Sequence, residues 1–317
     1  MKKVLIIAAI LTAAGLLLFI VTFIIAGFNI FKLGTAKYET NTYTVPDSFD
    51  NIDIRTKETD VLFKRSEDGQ CRVVCDEREK ARHQVSVKNG TLTIHMADQR
   101  SWYDYLTFFS PTLSMTVYLP SEYYEALKIE SQTGNVSLSE QFSFGGADIT
   151  SGTGNVSCGA SVNGSLNIHT STGGIRLDGV RADTIALSVS TGQIEADKVT
   201  CTNTFSVSVS TGRTTLTDLT CQDLHSKGST GNVSLKNVLA DNTFDIERST
   251  GNISLDRCDA GQLNIRTSTG RISGTLRSEK VFTATTSTGS VHVPDTQSGG
   301  KCTLSTSTGS IDISIAP

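Results

Sequence analysis

Proline is scarce in this sequence, five residues in 317, and tryptophan occurs once. So little proline excludes a proline-rich stalk or linker. No long pattern of helical period follows residue 32, which excludes a bundle of amphipathic helices. An excess of charge is missing too: 28 basic against 32 acidic residues leave no nucleic-acid footprint. No paired carboxylates, nucleophile with its base, or His/Cys set at ligand spacing stands out. The sequence therefore predicts no enzyme, no catalytic residue, no cofactor and no metal site. Seven cysteines are an odd number, which argues against a complete disulfide framework. Cys71 and Cys75, on one face of one strand, would stand about 13 Å apart, too far to bridge. Cys201 and Cys221 could bridge by spacing, but their column also holds Ala182, Ala240 and Ala260, so free buried thiols are expected. His83, His95, His169, His225 and His292 fall at unrelated positions and read as surface or turn residues.

What the sequence has instead is a repeat. Ten Thr-Gly pairs recur at spacings of 19 or 20 residues: Thr133-Gly134, Thr153-Gly154, Thr172-Gly173, Thr191-Gly192, Thr211-Gly212, Thr230-Gly231, Thr250-Gly251, Thr269-Gly270, Thr288-Gly289 and Thr308-Gly309. Such a period marks a solenoid. Apolar residues sit seven and five places before the glycine (Ile185 and Leu187, Leu263 and Ile265) and two and four after it (Ile175 and Leu177, Ile253 and Leu255). A third inward column follows at seven and nine, as in Val199 and Cys201 or Val238 and Ala240. Alternation of period two on both sides of a turn means short strands with one buried face. The expected fold is all-β: a single-stranded β-solenoid of about ten coils.

The inward phase slips by one at each glycine, so the backbone must bend there, and glycine reaches the positive φ that a sharp corner needs. A Thr hydroxyl beside it is expected to bond turn backbone left over from the ladder. Asn135 should stack over Asn155, and Asn232 over Asn252. The repeated Thr-Gly-Asn-Val/Ile resembles the bacterial β-strand-repeat proteins labelled putative adhesins, domain-of-unknown-function family 4097, over residues 45–317. That family has a similar entry, an extended strand ending in proline, matched by Met115-x-Val117-x-Leu119-Pro120.

Residues 4–31 carry no charge. As a helix, Val4 to Phe28 would be about 37 Å long, enough to cross a bilayer, and too long for the apolar region of a cleaved signal peptide. The expected organisation is a cytoplasmic stub over 1–3, a transmembrane signal-anchor helix over 4–31 and a tether over 32–44. An N-terminal β cap or first coils would follow over 45–126, then the repeat solenoid over 127–317. Asn89-Gly90 marks a hairpin inside the cap. Lys2 and Lys3 set a small positive-inside bias, which puts the solenoid outside the cytoplasm on a single-pass membrane protein.

One patch invites binding: Trp102, Tyr103, Tyr105, Phe108 and Phe109, which either bind an envelope glycan or surface protein or plug the solenoid's open end. Asp178, Asp197 and Asp256, five places after a glycine, read as turn formers. The Thr-x-Thr pairs, among them Thr170/Thr172 and Thr267/Thr269, evoke an ice-binding ladder. Val189, Val209 and Arg248 interrupt it and leave its facing ambiguous. The uniform spacing leaves no room for the long loops of polysaccharide-cleaving β-helices. The expected function is a membrane-anchored, non-enzymatic, adhesin-like or envelope-sensing solenoid. The alternative is a scaffold that self-associates end to end through an uncovered edge at Ser310–Pro317.

Overall fold

A computed structural model describes residues 2–25, 27–28, 37–102 and 111–316. Helix Lys2–Ile25 comes first, and every later element is a strand of one 23-stranded sheet wound into a β-solenoid. Successive coils pair in parallel and in register: Ile185 lies beside Phe205, Leu187 beside Val207, and Val189 beside Val209. The alternation read from the sequence becomes the core, and all three predicted inward columns are buried, including Val180, Val199, Leu219, Val238 and Cys258. All seven cysteines are free and buried, Cys201 and Cys221 included.

The ten repeat glycines have φ between 135° and 153°, a region that disfavours any side chain. Their second constraint comes from stacking. A Cβ on any of them would lie 1.5–2.4 Å from a backbone oxygen of the neighbouring coil, so the coil spacing itself demands glycine. One corner later, six places after the glycine, Gly179, Lys198, Asp218, Asn237 and Arg257 stack with φ of 49–68°. That left-handed region admits ordinary residues at a modest cost, which explains the varied side chains there.

The hydroxyl that bonds the corner is not the one beside the glycine. Thr170, Thr267, Thr286 and Thr306, three places before it, donate to the glycine carbonyl of an adjacent coil at 2.9–3.2 Å. The Thr next to the glycine points outward. Position −3 thus faces in and position −1 faces out, which removes the flat outward Thr-x-Thr array that ice binding would need. Just past the glycine, the expected asparagine stacks form: Asn135 Oδ1 accepts from the Asn155 amide, and Asn232 Oδ1 from the Asn252 amide, both at 2.9 Å.

The inward column also holds Arg248, 2% exposed. It fits because Gly228, one coil below, has no side chain: a Cβ there would lie 3.1 Å from the Arg248 Nε. Nη2 donates to Thr214 Oγ1 (3.1 Å) and Ser226 Oγ (3.0 Å), and Nη1 to the Glu247 carbonyl (2.8 Å). Burial alone lowers its pKa, to about 10, so the guanidinium remains charged at neutral pH.

The two ends differ. At the first end, strand Asn51–Arg65 is a coil without a repeat glycine, and strands Thr91–Asp98 and Leu113–Leu119 lie on it in parallel. Antiparallel strands then close that end: Ala81–Lys88 on Thr91–Asp98, Cys71–Arg78 on Leu113–Leu119, and Tyr38–Val45 on Cys71–Arg78. The hairpin at Asn89-Gly90 forms with φ of 50° and 71°, the conformation that dipeptide favours.

The other end corrects an expectation. Strand Gly300–Thr308 does not follow Lys280–Thr288 outward; it pairs with Ile253–Thr269 on one side and Lys280–Thr288 on the other. Likewise Ile311–Ile315 lies between Ile272–Leu276 and Val291–His292. The last coil in sequence is therefore inserted beneath the one before it. Among the described residues the outermost coil is 280–293, where Val281 and Val291 are exposed, and not the expected edge that begins at Ser310. Spacings of 19 and 20 fit either order, which is why the repeat alone could not reveal the exchange.

Candidate functional site

Three places on the molecule could carry function. The first is an open trough of about 620 Å³ on the face formed by the strands that lead into the repeat glycines. Its floor comes from outward positions −6 and −4 of two adjacent coils, all small: Ala186, Ser188, Ser206 and Ser208. Coils before and after carry longer side chains and make the rims. Asp148, Asn167 and His169 stand on one side, and His225, Lys227 and Asp245 on the other. The rims are ordered by their own contacts: Asn167 Nδ2 donates to Asp148 Oδ1 at 2.7 Å, and His225 Nδ1 lies 3.8 Å from Asp245 Oδ2. Because every coil is in register, a two-coil run of small residues becomes a depression about 10 Å wide along the rod axis. No single repeat advertises it; aligning the two columns down the sequence would have.

The second place is the predicted aromatic patch. Trp102 is 77% exposed, whereas Tyr103, Tyr105, Phe108 and Phe109 lie outside the described residues. The chain reaches Trp102 from a charged anchor. Arg100, its side chain 3% exposed, makes two bonds of 2.8 Å to the Asp98 carboxylate and also bonds Glu58.

The third place was missed by the sequence reading. His83 is 2% exposed rather than a surface residue, and it meets Glu77 and Cys75, both 0% exposed. Cys75 and Glu77 share the inward face of strand Cys71–Arg78, and a tight turn brings Ala81–Lys88 alongside. The thiol sulfur, a carboxylate oxygen and an imidazole nitrogen all lie within 4.8 Å of one another. His83 Nδ1 stands 2.8 Å from Glu77 Oε2, which also accepts from the His83 amide at 2.7 Å. Tyr43 Oη (2.6 Å) and Asn41 Nδ2 (2.8 Å) donate to Glu77 Oε1. Burial by itself would raise the Glu77 pKa, but the donors from His83, Tyr43 and Asn41 outweigh it and hold the carboxyl at about 2. Burial, aided by that carboxylate and Asp76, pushes the Cys75 thiol well up. The three residues lie in the irregular cap, where no period lines up columns, so only the spacing of an inward strand (75, 77) hinted at them.

Cysteine, histidine and glutamate are also the set of a thiol hydrolase. Here the imidazole nitrogens face Glu77 and Thr56 (3.2 Å from Nε2), not the sulfur. The buried thiol is kept protonated and out of reach of substrate.

Comparison with solved structures returns partial likenesses. A "putative adhesin" from Bacteroides fragilis is 15% identical, covering 88% of this chain and 97% of its own, with a TM-score of 0.43. A "putative lipid binding protein" from Parabacteroides distasonis is 16% identical, covering 89% and 98%, with a TM-score of 0.46. No curated protein matches the chain. One family model matches twice, over residues 49–204 and 198–317. The two matches overlap over residues 198–204, and the ladder runs unbroken past that point, with Thr204–Thr211 paired to the coils on both sides. With the whole solenoid accounted for by two consecutive matches to one model, the chain belongs to the Toastrack DUF4097 family.

Proposed function

We propose that this protein is a membrane-anchored, non-enzymatic β-solenoid that presents the trough for adhesin-like binding of an extended polar ligand, such as an envelope glycan. The observation that carries the reading is the pairing of that trough with helix Lys2–Ile25. The helix buries none of its residues against the solenoid, although nearly all are apolar. Its two hydroxyls, on Thr12 and Thr22, donate to carbonyls four residues back at 2.9 Å, which suits a helix surrounded by lipid. The trough offers donors and acceptors on both rims over a floor too small-featured to obstruct a chain lying across it. Its carboxylates, Asp148 and Asp245, stand about five coils or ~24 Å apart, far beyond the ~5–9.5 Å of a glycosidase pair.

The test has two arms. A tag after Pro317 should react with a membrane-impermeant reagent on intact cells; reaction only after lysis would end the extracytoplasmic reading, and an N-terminus missing from the mature protein would mean a cleaved signal. On a glycan array, Ser188→Tyr with Ser206→Tyr should cut binding at least about tenfold, the loss expected when a site is filled, while the melting temperature stays put. Binding that survives the filled trough but is lost in Trp102→Ala would move the site to the aromatic segment.

A second reading, self-association, is favoured by the uncovered coil 280–293. Val281 and Val291 are exposed there, and Phe282, Ala284 and Val293 are half-buried. The opposite end is closed by antiparallel strands, so two copies could meet only tip to tip. Full-length protein in detergent should sediment as a dimer, and Val281→Lys with Val291→Lys should return it to monomer. A wild-type monomer at high concentration would rule this reading out.

A further inference from the structure

The cap holds a ligand set for which neither the ladder nor the trough has a use. Cys75, Glu77 and His83 are enclosed by strands Tyr38–Val45, Asn51–Arg65, Cys71–Arg78 and Ala81–Lys88, and their donor atoms converge within 4.8 Å. Among the described residues, the thiols of Cys71, Cys75 and Cys302 donate to no carbonyl, unlike Cys158, Cys201, Cys221 and Cys258, and of the three Cys75 lies with an imidazole and a carboxylate. A wholly buried sulfur is thus aimed at an imidazole and a carboxylate with its hydrogen-bonding capacity unused.

The contacts around these three groups are of the kind that orient metal ligands. Ligating histidines commonly direct their second nitrogen at an outer partner, and ligating carboxylates are themselves hydrogen-bonded. Thr56 Oγ1 lies 3.2 Å from His83 Nε2. With Thr56 donating to Nε2, Nδ1 carries the proton that Glu77 accepts; with Thr56 accepting the Nε2 proton, the Nδ1 lone pair is free for a metal ion. Asn41 and Tyr43 hold that carboxylate through its other oxygen. At 2.8 Å, Nδ1 and Oε2 share a proton in the metal-free site, and a metal ion would take that proton's place.

We propose that Cys75, Glu77 and His83 form a buried structural site for a zinc-class divalent ion, which ties the cap strands Cys71–Arg78 and Ala81–Lys88 together. Sulfur, nitrogen and oxygen donors together suit zinc better than calcium or magnesium, which take oxygen alone. On binding, the Cys75 thiol proton leaves to solvent, the sulfur lone pair enters the coordination bond, and the imidazole proton passes from Nδ1 to Nε2. The charge of the ion drives that deprotonation where the apolar surroundings alone oppose it. Tetrahedral bonds of ~2.0–2.3 Å set ligand atoms about 3.3–3.7 Å apart. The Nδ1–Oε2 gap must therefore widen by about half an ångström, a small rotation of two side chains.

The experiment uses the full-length protein without a histidine tag, produced in zinc-supplemented medium, held in detergent micelles and dialysed. Elemental analysis should find about one zinc per chain, and Cys75→Ser should retain less than about a tenth of it. Cys302→Ser, which changes an equally buried thiol away from any His or Glu cluster, should keep its zinc. Cobalt in place of zinc should give a thiolate-to-metal absorption band in wild type and in Cys302→Ser only. Cys75→Ser leaves the Glu77–His83 bonds in place, so its metal-free melting temperature should match that of the metal-free wild type. Zinc should then raise the melting temperature of wild type alone. Wild type that takes up no zinc, even when refolded in its presence, overturns the proposal and leaves a proton between Nδ1 and Oε2. Equal zinc in Cys75→Ser overturns it as well.

Discussion

Gly212→Ala is expected to break the rod in the middle. The added Cβ would lie 1.5 Å from the Gly192 carbonyl oxygen, the closest approach at any repeat corner, with φ at 146°. Neither problem can be relieved by turning a side chain. The oxygen belongs to a backbone that is itself fixed by the next coil, and the φ region is one that only glycine visits freely. Strain of this kind and forced separation of two coils should together cost about 4 kcal/mol or more. The cost should also depend on position, because each coil rests on its neighbours alone. Gly289→Ala meets an oxygen at 2.1 Å, but it lies in the uncovered coil 280–293, which can lift away while the rest stays folded. Urea unfolding of the two full-length variants would check this. Gly212→Ala should shift the main transition or abolish it, and Gly289→Ala should leave it nearly in place. Equal shifts would mean that the rod unfolds as one unit, and that the nearest-neighbour picture is wrong.

Leu304→Asp should have an effect of similar size for a different reason. Leu304 is 1% exposed and lies between Ile265 and Ala284 in the inserted coil. A carboxylate there has no partner and must be desolvated or protonated, at a cost of about 4 kcal/mol. Since 280–293 rests on 300–315, both coils should come loose together. Hydrogen exchange would read this directly. In wild type, the amides of 300–308 should be protected at least about 100-fold more than those of 280–288, although they lie nearer the end of the chain. In Leu304→Asp the two segments should exchange alike and fast. Greater protection of 280–288 in wild type would contradict the inserted order.

The ladder could be read from the sequence because its cause is periodic: each coil needs the same glycine corner and the same apolar columns, so every copy testifies to the rule. Where the cause is a relation between particular coils, reading one repeat at a time fails. The facing of Arg248 is ambiguous in its own repeat, and only Gly228, twenty places earlier, leaves the space that it fills. The trough depends on Ala186 and Ser188 lying beside Ser206 and Ser208, a feature of columns rather than motifs. His83 and Glu77 meet across a turn in a region without any period, so nothing in the chain aligned them. The corner hydroxyl was assigned to the wrong Thr because both members of a Thr-x-Thr pair look alike in sequence, while only the inward one can reach the carbonyl of another coil.

The inserted coil bears on how such a protein could grow. In a simple stack, a duplicated repeat added at the C-terminus would extend the tip by one rung. Here Ile311 and Asp312 are covered by Val291 and His292, so residues appended after this strand would emerge from the flank, one rung below the tip. A gene duplication or a fused domain at that point would give a side branch rather than a longer rod. Lengthening would have to come from copies inserted upstream, between coils such as those of Gly192 and Gly251. The coil that comes last in sequence is thus not the one that forms the tip.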